Sequence, residues 1–307
     1  MSDHSPGHTH GVAADANSRY LAIALALIVG FMIVEVTVAV FSGSLALLSD
    51  AGHMLTDAAA IVGSLIAIRL AAKPGNARWT FGFKRAEILS AAINGITLVV
   101  ISGIVAVEAV QRLITPPEVD GGPVLAVAIL GVAVNLVAVW VLAKANRTSL
   151  NVEGSFQHIL TDLYGFIATV IAGLVILLTG FTRADSIASL IVVALMLHAA
   201  WGLLKDSGRI LLEGTPDDMD LADVRSHLLE TPHVLDVHDL HVWTVTSDLP
   251  ALSAHVTLTD ECFQDGHAPR VLDELQACLV GHFDVEHSTF QLEPVSHAAH
   301  EPGSGHR

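Results

Sequence analysis

The sequence predicts an α-helical membrane protein of six transmembrane helices with a C-terminal α+β domain, and three observations predict it. First, 52% of the 307 residues are hydrophobic and only 15% are charged, and the mean hydropathy is +0.59; a soluble domain of this length is not so apolar. Second, the apolar residues are blocked: residues 20–205 hold long uncharged runs, whereas 206–307 have an ordinary soluble composition. Third, charge divides at the same place. From Asp206 onward there are 19 Asp/Glu against 4 Lys/Arg, a net of −15 out of −16 for the chain. The acidic balance therefore belongs to the C-terminal part and argues against nucleic acid as a partner.

Residues 1–18 form a polar tail with His4, His8 and His10 and without the basic and apolar regions of a secretory signal. Crossing the hydrocarbon core takes about 20 apolar residues. Six stretches qualify: Tyr20–Val40, Ser44–Ala71, Ile88–Leu113, Val124–Leu142, Ser155–Leu178 and Ile187–Leu204. The breaks between them carry loop chemistry, including Lys73-Pro74-Gly75-Asn76, Pro116-Pro117 with Gly121-Gly122-Pro123, and Thr179-Gly180. Nine basic residues fall on one side of these spans (Arg19, Lys73, Arg78, Lys84, Arg85, Lys144, Arg147, Lys205 and Arg209), against Arg112 and Arg183 on the other. The positive-inside rule then puts both termini in the cytoplasm of a multi-pass inner-membrane protein.

After the last span the pattern changes. Asp220–Glu230 has helical periodicity, Val234–Val245 and Leu252–Thr259 read as strands, Val271–Leu279 as a helix and Ser288–Leu292 as a strand. This α-β-β-α-β order predicts a small sandwich with helices on one face of an antiparallel-rich sheet. The resulting division is 1–18 tail, 19–206 transmembrane domain, 207–295 cytoplasmic domain and 296–307 disordered tail. Cys262 and Cys278 have no zinc-ribbon spacing and read as reduced core residues.

Two of the spans repeat one pattern. His53 and Asp57 lie four residues apart in the second, and His158 and Asp162 four apart in the fifth. That spacing puts each pair on one helix face. A carboxylate at membrane depth costs a few kcal/mol, so it is rarely there without a partner or a pathway. Together the pairs offer two imidazole nitrogens and two carboxylate oxygens, a four-coordinate set suited to Zn²⁺. The residues themselves thus point to a protein that moves a divalent metal ion through a bilayer. Carboxylate and neutral imidazole bind metal only when deprotonated, so metal and protons compete for the same atoms, and that competition couples the two flows. Glu35, Asn94, Glu108 and Asn135 are further polar groups at depth, open to either pathway lining or helix-packing roles. His198 has no partner at helical spacing and reads as a packing residue.

Five segments carry a family resemblance: Ser44–Asp57, Thr80–Leu89, Ser149–His158, Leu211–Pro216 and His238–Trp243. Together with the paired His-x-x-x-Asp motifs, they make the chain resemble the cation diffusion facilitator family in its zinc- and cadmium-exporting bacterial branch. The resemblance implies a homodimeric metal-ion/proton antiporter whose cytoplasmic domain is metallochaperone-like, exporting Zn²⁺ with Cd²⁺ and Co²⁺ as co-substrates. It implies that His53, Asp57, His158 and Asp162 hold the transported metal. It also implies a cytoplasmic metal site at His238 and His255, with His267, His287 and Glu293 as looser matches. Arg85 matches a basic residue that ties spans together at the dimer interface, with Asp206 or Glu213 as its partner. Relatives with a loop metal site use histidines near the element that here reads Phe81–Glu87, which has none, so that site is expected to be absent. No enzyme activity and no cofactor are expected; Zn²⁺ enters as substrate and regulatory ligand. The alternatives are a membrane-embedded metal sensor that binds without transport and an intramembrane metalloenzyme, the latter disfavoured by a closed ligand set and the lack of His-Glu-x-x-His.

Overall fold

A computed structural model describes residues 10–42, 45–115, 121–247 and 249–298, with side chains described for 17–38, 40–41, 54–115, 125–247 and 249–297. Among these residues six long apolar helices come first, each long enough to cross a membrane. They are α1 (His10–Ser42), α2 (Leu45–Ala71), α3 (Ala86–Ile114), α4 (Gly121–Leu142), α5 (Leu150–Thr179) and α6 (Ala184–Leu211). They extend beyond the expected spans because polar residues continue the helices past the hydrocarbon core: α5 starts five residues before Ser155, capped by Ser149 Oγ accepting from the Val152 amide. Its other end stops at Gly180, whose φ of 71° is the left-handed conformation that glycine adopts without penalty. The α2–α3 connection turns at Asn76, whose Oδ1 accepts from the amides of Arg78 and Trp79 at 3.0 Å each.

The chain divides into two units, Met1–Ser207 and Gly208–Arg307. In the first, Leu21, Ile28 and Phe31 of α1 pack with Ile61 of α2, Ala138 and Leu142 of α4, and Val152 and Ile159 of α5. A separate cluster joins Leu98 of α3 to Val192, Met196, Ala200 and Leu203 of α6. Large apolar side chains also cover the outside, among them Ile33, Ile93, Val107, Leu136, Ile171 and Trp201. In water such a surface would aggregate; in lipid it is the expected one.

The second unit holds α7 (Leu221–Leu229), β1 (Val234–Thr246), β2 (Leu249–Leu258), α8 (Glu261–Gln264), α9 (Ala268–Phe283), β3 (His287–Pro294) and α10 (Val295–Ala298). This is the expected α-β-β-α-β order with two one-turn helices added. The sheet order is β1-β2-β3, β1 and β2 antiparallel, β2 and β3 parallel. A parallel pair needs a crossover, and α9 supplies it. Val224 and Leu228 of α7 and Val271, Leu275 and Leu279 of α9 bury against Val237, Val242, Leu252, Val256 and Leu258. One sheet face is therefore covered by helices, while the side chains that alternate with the core residues point to the other face. Cys262 is in this core and Cys278 is half-buried; both are free thiols, and burial, with Glu230 adding to it, holds the Cys278 thiol above its ordinary pKa.

Candidate metal centres

In the membrane unit, α2 and α5 run antiparallel and bring Asp57, His158 and Asp162 together. One ligand atom from each lies within 4.8 Å of the others. His158 Nε2 is 2.5 Å from Asp57 Oδ1, and the two residues are 3% and 6% exposed. Among the described residues His158 Nδ1 has no hydrogen-bond partner. A buried imidazole with one nitrogen on a carboxylate and the other unsatisfied is a costly arrangement for packing alone. It suits a ligand set whose atoms can be turned toward a cation. His53 is on α2, one turn before Asp57, but its side chain lies outside the described residues.

These groups line a cavity of about 530 Å³ that also meets α1, α3, α4 and α6. Among the described residues its walls extend from the Asp57–His158 level only toward the ends of the helices where α3 and α5 finish and α6 begins. On the other side of the ligands α2, α3 and α5 are joined by a buried polar seam. Ser64 Oγ of α2 and Ser155 Oγ of α5 share a hydrogen bond of 2.9 Å. Asn151 donates to the Ser64 carbonyl at 3.0 Å, and Asn94 of α3 donates to Ser64 Oγ at 3.4 Å. Thus Asn94 joins α3 to the α2–α5 seam, whereas Asn135 donates within its own helix to Gly131 O at 3.1 Å and also lines the cavity. Glu35 is fully buried. Glu108 is half-exposed and paired with Arg112. Ser64, Asn151 and Ser155 carried no warning in the sequence, because single serines and asparagines in apolar helices are common and only helix rotation reveals that they meet.

Gly131 of α4 sets the approach of α5. A Cβ added there would sit 2.5 Å from the Phe166 ring, which lines the cavity and packs edge-on against Phe31 at 5.8 Å. Beside the membrane unit's α5, Arg147 makes a forked pair with Glu153 at 2.7 and 3.0 Å, and the hydrogen bond to that carboxylate holds the guanidinium above its ordinary pKa.

The second unit assembles a different set on the sheet face away from the helices. His238 of β1 is directly opposite His255 of β2, and His255 opposite Gln291 of β3. Two residues on, Glu293 turns the same way. Its carboxylate is 1% exposed, with His238 Nε2 at 2.9 Å, His255 Nδ1 at 3.9 Å and His297 Nε2 at 3.6 Å. His238, His255 and Glu293 each offer an atom within 4.8 Å of the others. The strand reading alone does not give this register. Between His238 and His241 the first strand has one residue more than its partner, a bulge in which Asp239 takes a φ of 49°. His241 is consequently turned toward Asp239 at 3.0 Å, not toward the cluster.

The other expected ligands stand elsewhere in this chain. His287 begins β3, six residues from Glu293 and so about 20 Å along the strand. His267 precedes α9, its Nδ1 lies 2.8 Å from Asp265 Oδ1 and its backbone amide donates to the same oxygen at 3.1 Å; this contact with the His267 side chain is the main cause holding the Asp265 carboxyl below its ordinary pKa. Arg85 stands at the start of α3, Asp206 in α6, and Glu213 just after α6 with a φ of 59°.

Comparison with known proteins gives matches over nearly the whole chain. Residues 21–212 match the model of the cation efflux transmembrane domain, and residues 216–295 that of the cation efflux protein cytoplasmic domain. The chain is 41% identical over 293 residues to the zinc transporter ZitB of Escherichia coli, covering 94% of this chain and 92% of the relative. It is 38% identical over 293 residues to the cadmium, cobalt and zinc/H(+)-K(+) antiporter of Bacillus velezensis, covering 95% and 93%. Among solved structures, the metal-bound C-terminal domain of the CzcD transporter from Cupriavidus metallidurans is 37% identical; the match covers 24% of this chain and 99% of that one, with a TM-score of 0.22.

Proposed function

The chain belongs to the cation diffusion facilitator family of cation efflux proteins, and from that premise we propose that it exports Zn²⁺, with Cd²⁺ and Co²⁺ as further substrates, in exchange for protons. The family consists of transporters, not enzymes. The observation that carries the reading is the meeting of Asp57, His158 and Asp162 at the inner end of a cavity among membrane-spanning helices. His53, one helical turn from Asp57, completes a set of two nitrogens and two oxygens, the donor chemistry of four-coordinate zinc. Loading from the cytoplasm requires these groups deprotonated; on the other side, higher proton activity displaces the metal by protonating the same atoms. Histidine is the natural proton carrier, since imidazole changes charge nearest physiological pH.

In this reading residues 19–206 are the transmembrane domain, 207–295 the cytoplasmic domain, and both termini face the cytoplasm. The positive-inside count supports that orientation, and it makes the open end of the cavity the outer one. The protein works as a homodimer, with Arg85 pairing to Asp206 or Glu213 near the interface. His238, His255 and Glu293 hold a second, regulatory zinc. A carboxylate buried against imidazoles gains most when a cation joins it. His267 and His287 enter such a site only from the partner protomer or after rearrangement.

Reconstitution into vesicles with an internal zinc dye and an imposed pH gradient tests the proposal. Zinc flux is expected to follow the proton gradient and to vanish in Asp57→Ala. Flux that ignores the gradient, or that survives Asp57→Ala unchanged, would falsify the antiporter reading and leave the metal-sensor alternative.

A further inference from the structure

The cavity has a far end that the transport site does not account for. Along α5 its wall continues from Asp162 through Thr169 to Leu177, about 22 Å at the rise of an α-helix. There Glu108 and Arg112 of α3 and Asp185 of α6 line it. The Arg112 guanidinium contacts Glu108 through Nη2 and reaches toward Asp185 Oδ2 at 3.9 Å through Nη1. The three side chains are 41%, 50% and 37% exposed, so an ion in the cavity can reach them.

Helix ends explain part of this trio. Arg112 is in the last turn of α3 and Asp185 in the first turn of α6, where the helix dipole favours those signs. Glu108 has no such reason: it stands more than a turn inside α3. A carboxylate at that position in a spanning helix marks a water-filled or ion-conducting path. At the opposite end of the same cavity, His158 is 3% exposed and its Nδ1 is unpartnered among the described residues. One cavity thus joins an unsatisfied ligand nitrogen to a carboxylate pair bridged by an internal cation.

With the protein read as a transporter, this cavity is the path of the metal ion between Asp57–His158–Asp162 and the membrane face; we infer that Arg112 is a tethered counter-ion which stops the Glu108–Asp185 pair from trapping the ion on its way. The inference rests on the transporter reading. Two carboxylates converging on a cavity make an oxygen site for a divalent cation. With the guanidinium between them the trio keeps one net negative charge, enough to draw a cation along the path without coordinating it. Conduction needs binding strong enough to enter and weak enough to leave, and Arg112 sets the second condition.

The test uses the full chain in vesicles, with zinc as the probe. Asp162→Ala serves as the control for transport. Arg112→Gln is expected to slow maximal zinc flux several-fold and to lower its apparent KM. Adding Glu108→Gln to Arg112→Gln should restore most of the rate, because it removes the trap as well as the counter-ion. Arg112→Lys, which keeps the charge, should stay close to the parent. Equilibrium dialysis gives an independent reading: Arg112→Gln/Asp162→Ala should bind more zinc than Asp162→Ala alone, and the excess should disappear with Glu108→Gln. Parent-like flux in Arg112→Gln, or a slow Arg112→Gln that Glu108→Gln does not rescue and that binds no extra zinc, overturns the inference while the Asp162→Ala control still upholds transport. A parent protein without proton-linked flux would overturn both.

Discussion

Two parts of this molecule gather nearly the same ligands on opposite kinds of scaffold. Asp57, His158 and Asp162 project from α2 and α5, which among the described residues are joined by side chains and by no backbone-to-backbone hydrogen bond. His238, His255 and Glu293 project from three neighbouring strands whose backbones are hydrogen-bonded in fixed register. Helices joined by side-chain packing can rock or slide past each other, and their ligands part and rejoin. Strands in a paired sheet cannot move without breaking a ladder of backbone hydrogen bonds. Under the proposed roles, the comparison teaches that donor atoms alone do not distinguish a site that passes an ion from one that keeps it. What distinguishes them is whether the scaffold can change shape and whether a path leads away; the helical site opens on a long cavity.

The largest expected effect falls on the helical site. Asp162→Ala should reduce proton-linked zinc flux to background in vesicles, while zinc binding by the C-terminal unit, followed as a zinc-dependent rise in its thermal stability, is retained. Loss of both together would mean that the two sets are not separate. Next comes the sheet's foundation. Leu275 is fully buried between α9 and the strands, so Leu275→Ala should cost about 2–5 kcal/mol. Hydrogen exchange should show β1–β3 amides losing protection while α2 and α5 keep theirs. Glu293→Gln is smaller and more diagnostic. It removes a buried charge faced only by histidines among the described residues, so the metal-free unit should hold or gain stability. The zinc-dependent rise should nonetheless fall, with affinity reduced by about tenfold or more. A variant that is destabilised without metal and unchanged in zinc affinity would make Glu293 a structural group.

Much of this contrast was legible in the sequence, for reasons particular to each residue. Asp57, His158 and Asp162 stood out because ionisable groups are costly inside an apolar run, and their spacing of four fixed one helix face. Six helices followed from apolar runs long enough to span, and the α-β-β-α-β order from periodicity. The seam of Ser64, Asn94, Asn151 and Ser155 did not, apart from Asn94, since it depends on how α2, α3 and α5 are rotated against each other. The choice of His238 and His255 among the C-terminal histidines came from the family resemblance and not from the strand pattern. The geometry behind that choice depends on one extra residue in β1, with Asp239 at positive φ, which turns His241 away and leaves His238 facing His255. Alternation read along the sequence has no means of detecting such a bulge.

The smallest predicted effect sharpens the comparison most finely. Asp236 Oδ2 lies 3.8 Å from His238 Nδ1, and its Oδ1 accepts from Arg225 at 2.7 Å. Arg225 also donates to the Val237 carbonyl at 2.9 Å, so α7 is fastened to β1 whether or not the carboxylate is charged. Both side chains of the ion pair are about half exposed, and such a pair contributes on the order of 0.2–1 kcal/mol. If the sheet site is rigid because of its backbone register, Asp236→Asn should lower unfolding stability by no more than that amount. Zinc affinity of the C-terminal unit should change only a few-fold, because His238 is held by its strand, not by its outer partner. If zinc affinity instead drops as far as in Glu293→Gln, His238 is being steered by Asp236. The sheet site would then be adjustable through side chains, as the helical one is, and the contrast between the two scaffolds would lose its physical basis.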